Sequence, residues 1–484
     1  MDSRFRENDK LKIMNNKLSI KFCTGVGTVT GANFLLETVK GTKILVDCGL
    51  VQGEKVAEDM NREPFAYDIS SITALFITHA HLDHVGRIPK LVKDGFKGPI
   101  YSTPQTKALA ELVLNDAVGI LTNEAKEDGL EPLYYQTDVD AVFPLWKTID
   151  YHSPFQLNDE VSVYLKDAGH ILGSSMIEFT LTGIGNNQKS ENDPKPLKVL
   201  FTGDLGNTPA PLLRDTEEVG DVDYLVTESV YGDRNHDDRE GRLNKFKQII
   251  DETMARGGTL VIPAFSIDRT QVLLYELNNM VEEGKIQSVP VFVDSPMAIK
   301  ATEIYAANTD LFNVHAQAQI ARGDKLFEFP RLEYTVSAND SRDIERMKGA
   351  KIILAGSGMS VGGRVIGHEA FYLPDEKSTI LLVGYQTTGS LGRRLADGAK
   401  KVHIHGQLVK VKAHIETLYG YSAHKDSDHL VEFVSTAGSR ERLKQVFVVM
   451  GEPGASMHLA QRINDELGVK AIVPERGGNY ELKD

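Results

Sequence analysis

The segment ITHAHLDHVGRI, residues 77–88, does most to limit what this chain can fold into. It packs His79, His81, Asp83 and His84 into six positions, directly after the apolar run TALFIT at 73–78. A buried strand that ends in three imidazoles and a carboxylate has to hand those groups to something that takes their lone pairs. In an extended segment, residues i and i+2 point the same way. A tight turn then brings the next pair round, so the segment can present four ligands to two adjacent cations. Imidazole and carboxylate without thiolate suit zinc, and also manganese or iron. The expected fold is one whose strand ends converge on metal.

Other strand ends supply the remaining candidates. His170 in KDAGHILGSS and Asp204 in LFTGDLG each follow an apolar run and sit beside glycine, where backbone can approach closely. Either alone reads as a hydrogen-bonded histidine or a turn cap; beside the first cluster both read as ligands. Asp47 in ILVDCGL ends a further strand, either capping a turn or orienting a ligand histidine or the attacking water.

The rest of the chain sets the frame. LSIKFCTG, ANFLLETV and TKILVDCG read as strands, residues 104–128 as a helix, and VSVYLKDAGH with IEFTLTG as a hairpin. From about 216, DYLVTES, GTLVIPAFS, PVFVDSP, AKIILAGSGM and STILLVGYQ alternate with helical segments at 242–255, 269–284 and 297–308. That rhythm predicts a parallel α/β sheet. Residues 1–16 are charged and lack an apolar core, so they read as a flexible leader rather than a secretory signal. No apolar run is long enough for a membrane span. Two cysteines without CxxC spacing leave no disulfide scaffold or thiolate zinc site, and a cytoplasmic enzyme is the expectation. The net charge of −14 argues against an extended basic footprint for nucleic acid, but not against a local groove.

Asp47, HAHLDH, His170 and Asp204, in this order, resemble the metallo-β-lactamase superfamily. The resemblance implies an αββα sandwich with a dinuclear zinc centre. His79, His81 and His170 would hold one metal, Asp83 and His84 the second, and Asp204 would bridge them. Four later landmarks narrow the resemblance: VTESVYGDR (226–234), PAFSIDRTQVLLYEL (263–277), GSGMSVGGR (356–364) and GYSAHKD (420–426). Together they resemble the β-CASP nucleases, a group that includes the cleavage and polyadenylation endonuclease and ribonuclease J, and most resemble the compact bacterial type.

This second resemblance implies a sandwich from 17–215 plus 401–484 and an inserted β-CASP α/β domain at 216–400. It implies Glu228 as a catalytic acid alongside Asp47, and His424 as the last metal ligand. It places Ser357, Gly358, Met359 and Arg364 against substrate. The cofactor implied is two zinc ions per chain. The activity implied is hydrolysis of phosphodiester bonds in single-stranded RNA, endo- and exonucleolytic, by a metal-activated hydroxide, with no membrane partner and with a homodimer among the open assemblies. A further family histidine, between the GSGM loop and GYSAHKD, has four candidates: His368, His403, His405 and His414. The family's late VHGE segment reads VVMGEP here, with Met450 in the histidine's place. The competing readings are a small-molecule hydrolase of the same fold, acting on a lactone, thioester or β-lactam, and a non-catalytic RNA-binding subunit. The insertion and the late His424 count against the first, and the full ligand set against the second.

Overall fold

The computed structural model describes residues 17–483 apart from 54, 183–194, 237–240, 385 and 388. The leader expected at 1–16 lies outside the described residues. Two seven-stranded sheets face each other. In spatial order the first comprises Asn479–Glu481, Ser19–Thr24, Asn33–Glu37, Lys43–Val46, Ala74–Phe76, Ile100–Ser102 and Trp146–Thr148. The second comprises Ala471–Ile472, Gln445–Val448, Tyr224–Thr227, Leu197–Phe201, Ser175–Leu181, Val161–Asp167 and Phe155–Gln156.

Aromatic pairs join the sheets across their shared core. Phe22 meets Phe447 at 5.1 Å between ring centroids, Phe76 meets Phe179 at 5.3 Å, and Phe34 meets Phe201 at 6.1 Å. The expected hairpin forms, with Val161–Asp167 antiparallel to Ser175–Leu181. The outer faces are apolar too and are covered by helices. Leu109 and Val113 of the helix Pro104–Glu127 pack with Leu45, Leu75 and Ile77 of the first sheet. Leu430, Val434 and Leu459, from the helices Ser427–Ala437 and Pro453–Arg462, pack with Leu200, Leu225 and Val446 of the second. This is the expected αββα sandwich.

A third sheet of six strands is parallel throughout, in the order Leu332–Tyr334, Val291–Asp294, Lys351–Ala355, Thr259–Pro263, Thr379–Val383 and His414–Leu418. Its crossovers are helices, among them Arg269–Glu282, Pro296–Ala306 and Val365–Tyr372. Strand membership moves the expected domain limits. Tyr224–Thr227, which carries Glu228 at its end, lies between Leu197–Phe201 and Gln445–Val448 and so belongs to the sandwich rather than to the insertion's first strand. His414–Leu418 pairs with Thr379–Val383 in the inserted sheet. Strand pairing therefore puts 224–227 with the sandwich and 414–418 with the inserted sheet. A parallel strand buried on both faces reads the same in either sheet, so the alternation of strands and helices could not place it. No helix among the described residues is long and apolar enough to cross a membrane.

Candidate metal centre

One rim of the sandwich gathers the polar strand ends. Asp47 follows Lys43–Val46, and His79 to His84 follow Ala74–Phe76. His170 lies in the hairpin loop, and Asp204 and Glu228 follow the neighbouring strands Leu197–Phe201 and Tyr224–Thr227. Two glycines let these turns stack. A Cβ on Gly49 would lie 1.5 Å from the Asp83 carbonyl oxygen, and one on Gly206 would lie 2.0 Å from that of Gly169. A single bridge between Gly206 and His424 then draws GYSAHKD against the Asp204 turn.

His79, His81, His170 and Asp204 converge. His79 Nε2 lies 3.1 Å from His81 Nδ1, which lies 3.2 Å from His170 Nε2. Asp204 Oδ2 lies 3.5 Å from His79 Nε2 and 3.7 Å from His170 Nε2. Zinc–nitrogen bonds of about 2.0–2.1 Å in a tetrahedron put neighbouring donors about 3.4 Å apart. The four donors therefore already have the edges of a zinc site. Burial, with the neighbouring imidazoles, pushes His79 and His170 well below the usual histidine range. Burial, then His84, His424 and Arg269, hold His81 down to about 4 against the pull of Asp204. Neutral imidazole is the form that binds metal.

A second group faces the other oxygen of Asp204. His84 Nε2 lies 3.4 Å from Asp204 Oδ1 and 3.8 Å from Asp83 Oδ2. Both His84 Nε2 and Asp204 Oδ1 are buried without a hydrogen-bond partner among the described residues. Facing buried polar atoms of this kind suit an ion between them, so the donor set fits metal at both faces of Asp204.

The backs of the ligands are fixed as well. Asp47 Oδ2 accepts from His84 Nδ1 at 2.8 Å and from Thr78 Oγ1 at 2.8 Å, and Oδ1 accepts from the Thr78 backbone N–H at 2.8 Å. Thr78 Oγ1 then accepts from His79 Nδ1 at 3.1 Å, and the Ala423 carbonyl accepts from His170 Nδ1 at 3.3 Å. Each bond places a proton on Nδ1 and leaves the Nε2 lone pair for the centre. Asp47 thus stands behind the ligands and positions two of them. Thr78 is a link that sequence reasoning missed; its only signal is its place before His79. Asp47→Asn is expected to weaken zinc binding about 10- to 100-fold with the fold retained. Competition against a zinc-sensitive dye measures this, and an unchanged affinity would reduce Asp47 to a turn cap.

Glu228 and His424 pair beside Asp204. Glu228 accepts from His424 Nδ1 at 3.1–3.2 Å and from the Leu205 N–H at 2.6 Å. His424 Nδ1 is 3.9 Å from Asp204 Oδ2. The carboxylate side chain is fully enclosed, whereas the His424 side chain is 24% exposed. Burial raises the Glu228 pKa, partly offset by His424. Burial alone would lower His424, but Glu228 outweighs it and pushes it up to about 9. His424 is thus the histidine in contact with Glu228. Of the four candidates, His368 donates to Asp294 inside the inserted domain at 2.7 Å, and His403, His405 and His414 are exposed.

The GSGM loop joins the strand Lys351–Ala355 to the helix Val365–Tyr372. Ser357 and Met359 are half-buried and Gly358 is buried. Arg364 corrects its expected role. Its guanidinium donates to Asp294 Oδ1 at 2.6 Å and to the carbonyls of Thr335 and Val336 at 3.0 and 2.7 Å, so it braces the loop instead of reaching toward substrate.

Fold and donor set together define a metallo-hydrolase centre of the metallo-β-lactamase type. Residues 35–183 match the metallo-beta-lactamase superfamily domain, 270–395 the Beta-Casp domain, and 408–474 the Zn-dependent metallo-hydrolase RNA specificity domain. The chain is 32% identical over 440 residues to a ribonuclease of Thermus thermophilus, covering 90% of this chain and 96% of that one. It is 30% identical over 479 residues to the transcription termination factor FttA of Thermococcus kodakarensis, covering 95% of this chain and 71% of that one. A crystal structure of a protein of unknown function from Enterococcus faecalis V583 shares the fold at a TM-score of 0.54 and 13% identity, covering 96% of this chain and 100% of that one. The chain belongs to the β-CASP family of the metallo-β-lactamase superfamily.

Proposed function

We propose that this chain is a zinc-dependent ribonuclease that hydrolyses phosphodiester bonds of single-stranded RNA. The observation that carries the reading is the Glu228–His424 pair at the edge of the donor cluster. A ribose oxygen leaving phosphorus needs a proton as its bond breaks. His424 has the exposed edge and is held protonated by its partner, so it donates that proton. Glu228, enclosed behind it, positions the ring and supports its charge. This reverses the expected roles, in which Glu228 was the acid and His424 a metal ligand. The match of 408–474, which contains His424, to an RNA specificity domain supports an RNA substrate, as does the relative named a ribonuclease. Ser357, Gly358 and Met359 would border the strand from the inserted domain.

His79, His81, His170 and Asp204 would hold one zinc, and His84, Asp83 and Asp204 a second. When bound, the metals supply Lewis acidity and lower the pKa of an attacking water. The two positions are unequal: the first has three imidazoles, the second one imidazole and two carboxylates. Met450, which lines a small cavity with Asp47, Thr78, His84 and Glu228, offers an apolar thioether where a ligand could enter. A mild chelator is expected to remove one zinc per chain and leave the other. Met450→His is expected to retain both, as read by metal analysis. Equal loss from both proteins would refute the asymmetry.

The function is tested with single-stranded RNA labelled at either end, incubated with metal-loaded protein with and without chelator. Chelator-sensitive products are expected. Intact RNA alongside efficient lactone or thioester hydrolysis would replace this reading with that of a small-molecule hydrolase.

A further inference from the structure

One landmark of the sequence, PAFSIDRTQVLLYEL, serves neither the donor cluster nor the proton donor. Its Arg269 opens the helix Arg269–Glu282 and is only 9% exposed. A guanidinium carries five donors, and enclosing one without acceptors is costly. Other arginines among the described residues find acceptors, although the Nε of Arg242 and of Arg442 has none. Arg87 donates to Gly49 O and Thr24 Oγ1, Arg242 to Glu276 and Gly420 O, and Arg442 to Asp223. Among the described residues, the Arg269 guanidinium has no hydrogen-bond acceptor and no carboxylate within 4.0 Å. Its contact is the face of Tyr421, 5.6 Å to the ring centroid, a ring that already takes Arg242 at 4.5 Å.

Arg269 lines a cleft of about 430 Å³, open to solvent, whose wall also includes His170, Asn207 and Ser422 from the sandwich. One carboxylate shares it: Asp268, which accepts from Tyr305 at 3.4 Å and is pushed up to about 6 by burial, against the opposing charge of Arg269 beside it. An unpaired guanidinium beside a metal ligand, in a cleft between the two domains, is a fork waiting for two oxygens. Planar bidentate recognition of phosphate is what arginine does better than lysine.

We infer that Arg269 donates to the non-bridging oxygens of a substrate phosphate lying in this cleft against His170. The inference rests on the ribonuclease reading and adds the residue that holds the strand in register with the metal site. Because this guanidinium has no hydrogen-bond acceptor among the described residues, removing it is expected to cost binding but not folding.

The test compares metal-loaded wild-type protein with Arg269→Met and Arg269→Lys in single-turnover cleavage of a single-stranded RNA oligonucleotide, with zinc content and Tm measured on each. Arg269→Met is expected to raise KM about 10- to 100-fold, the range for a lost hydrogen bond to a charged group. It should flatten the dependence of log KM on log salt by about 0.7, one phosphate's worth on a single strand. Zinc content should stay unchanged and Tm equal or higher. Arg269→Lys should fall between the two. An unchanged KM and salt slope overturns the inference. So does a fall in Tm with a matching loss of zinc, since that marks a structural brace on Tyr421. If wild-type protein cleaves no RNA, the ribonuclease reading fails by itself. Calorimetric titration with inorganic pyrophosphate then decides the anion site: weaker binding by Arg269→Met sustains it, and equal binding removes it.

Discussion

Asp204→Asn is expected to abolish RNA hydrolysis while leaving the sandwich folded. Among the described residues, the Asp204 carboxylate faces both donor sets, with Oδ2 toward His79 and His170 and Oδ1 toward His84. Burial would raise its pKa, but His84 and His79 hold it well below the usual carboxylate range, so it is charged at neutral pH. Asparagine keeps the shape and loses the negative charge that two cations would share. A metal centre contributes several kcal/mol to the transition state, and each 1.4 kcal/mol is a factor of ten. The loss should therefore be about a thousandfold or more. Zinc retained after desalting should drop with it, and so should the rise in Tm that zinc confers, because stabilisation by a ligand tracks its affinity. Near wild-type activity with full zinc would show that the convergence around Asp204 is not the catalytic centre.

Glu228→Gln is expected to slow cleavage by about 10²–10⁴, the usual contribution of a positioned proton donor, without loss of zinc. The pH profile gives the reason. His424 acts in its protonated form, so the rate falls as pH rises through its pKa. Glu228 holds that pKa up, at about 9. With glutamine in place, burial is opposed less, the pKa drops, and the alkaline fall-off moves to lower pH. A glutamine that merely disturbed packing would scale the whole profile down without moving it. His424→Ala separates the two roles open to that residue. A proton donor can be removed with zinc content unchanged, which is the expected result, whereas a metal ligand cannot. Loss of one zinc in His424→Ala would restore His424 to the second metal position.

The sequence by itself determined the sandwich, the inserted sheet and the donors that converge at the first candidate metal site. Period-2 and continuous apolar runs specify strands whatever their surroundings. HxHxDH places its donors through local backbone geometry, so His79, His81, Asp83 and His84 needed no distant information. His170 and Asp204 were legible because each ends a strand beside a glycine that the close approach of turns requires.

Tertiary structure decided what depends on long-range pairing. Whether Tyr224–Thr227 belonged to the sandwich or the insertion turned on its partners, Leu197–Phe201 and Gln445–Val448, the latter more than 200 residues away. The role proposed for His424 turns on the enclosed Glu228, 196 positions earlier, because only contact tells which ring nitrogen faces that carboxylate. Arg364 and Arg269 look alike in sequence, both standing at the start of a helix. Asp294 and two carbonyls occupy the first, while the second rests on the Tyr421 ring with no hydrogen-bond acceptor among the described residues. Local sequence specifies which chemical group stands at a strand or helix end. What that group faces is set by residues distant in the chain, so its job could be read only after the chain had folded.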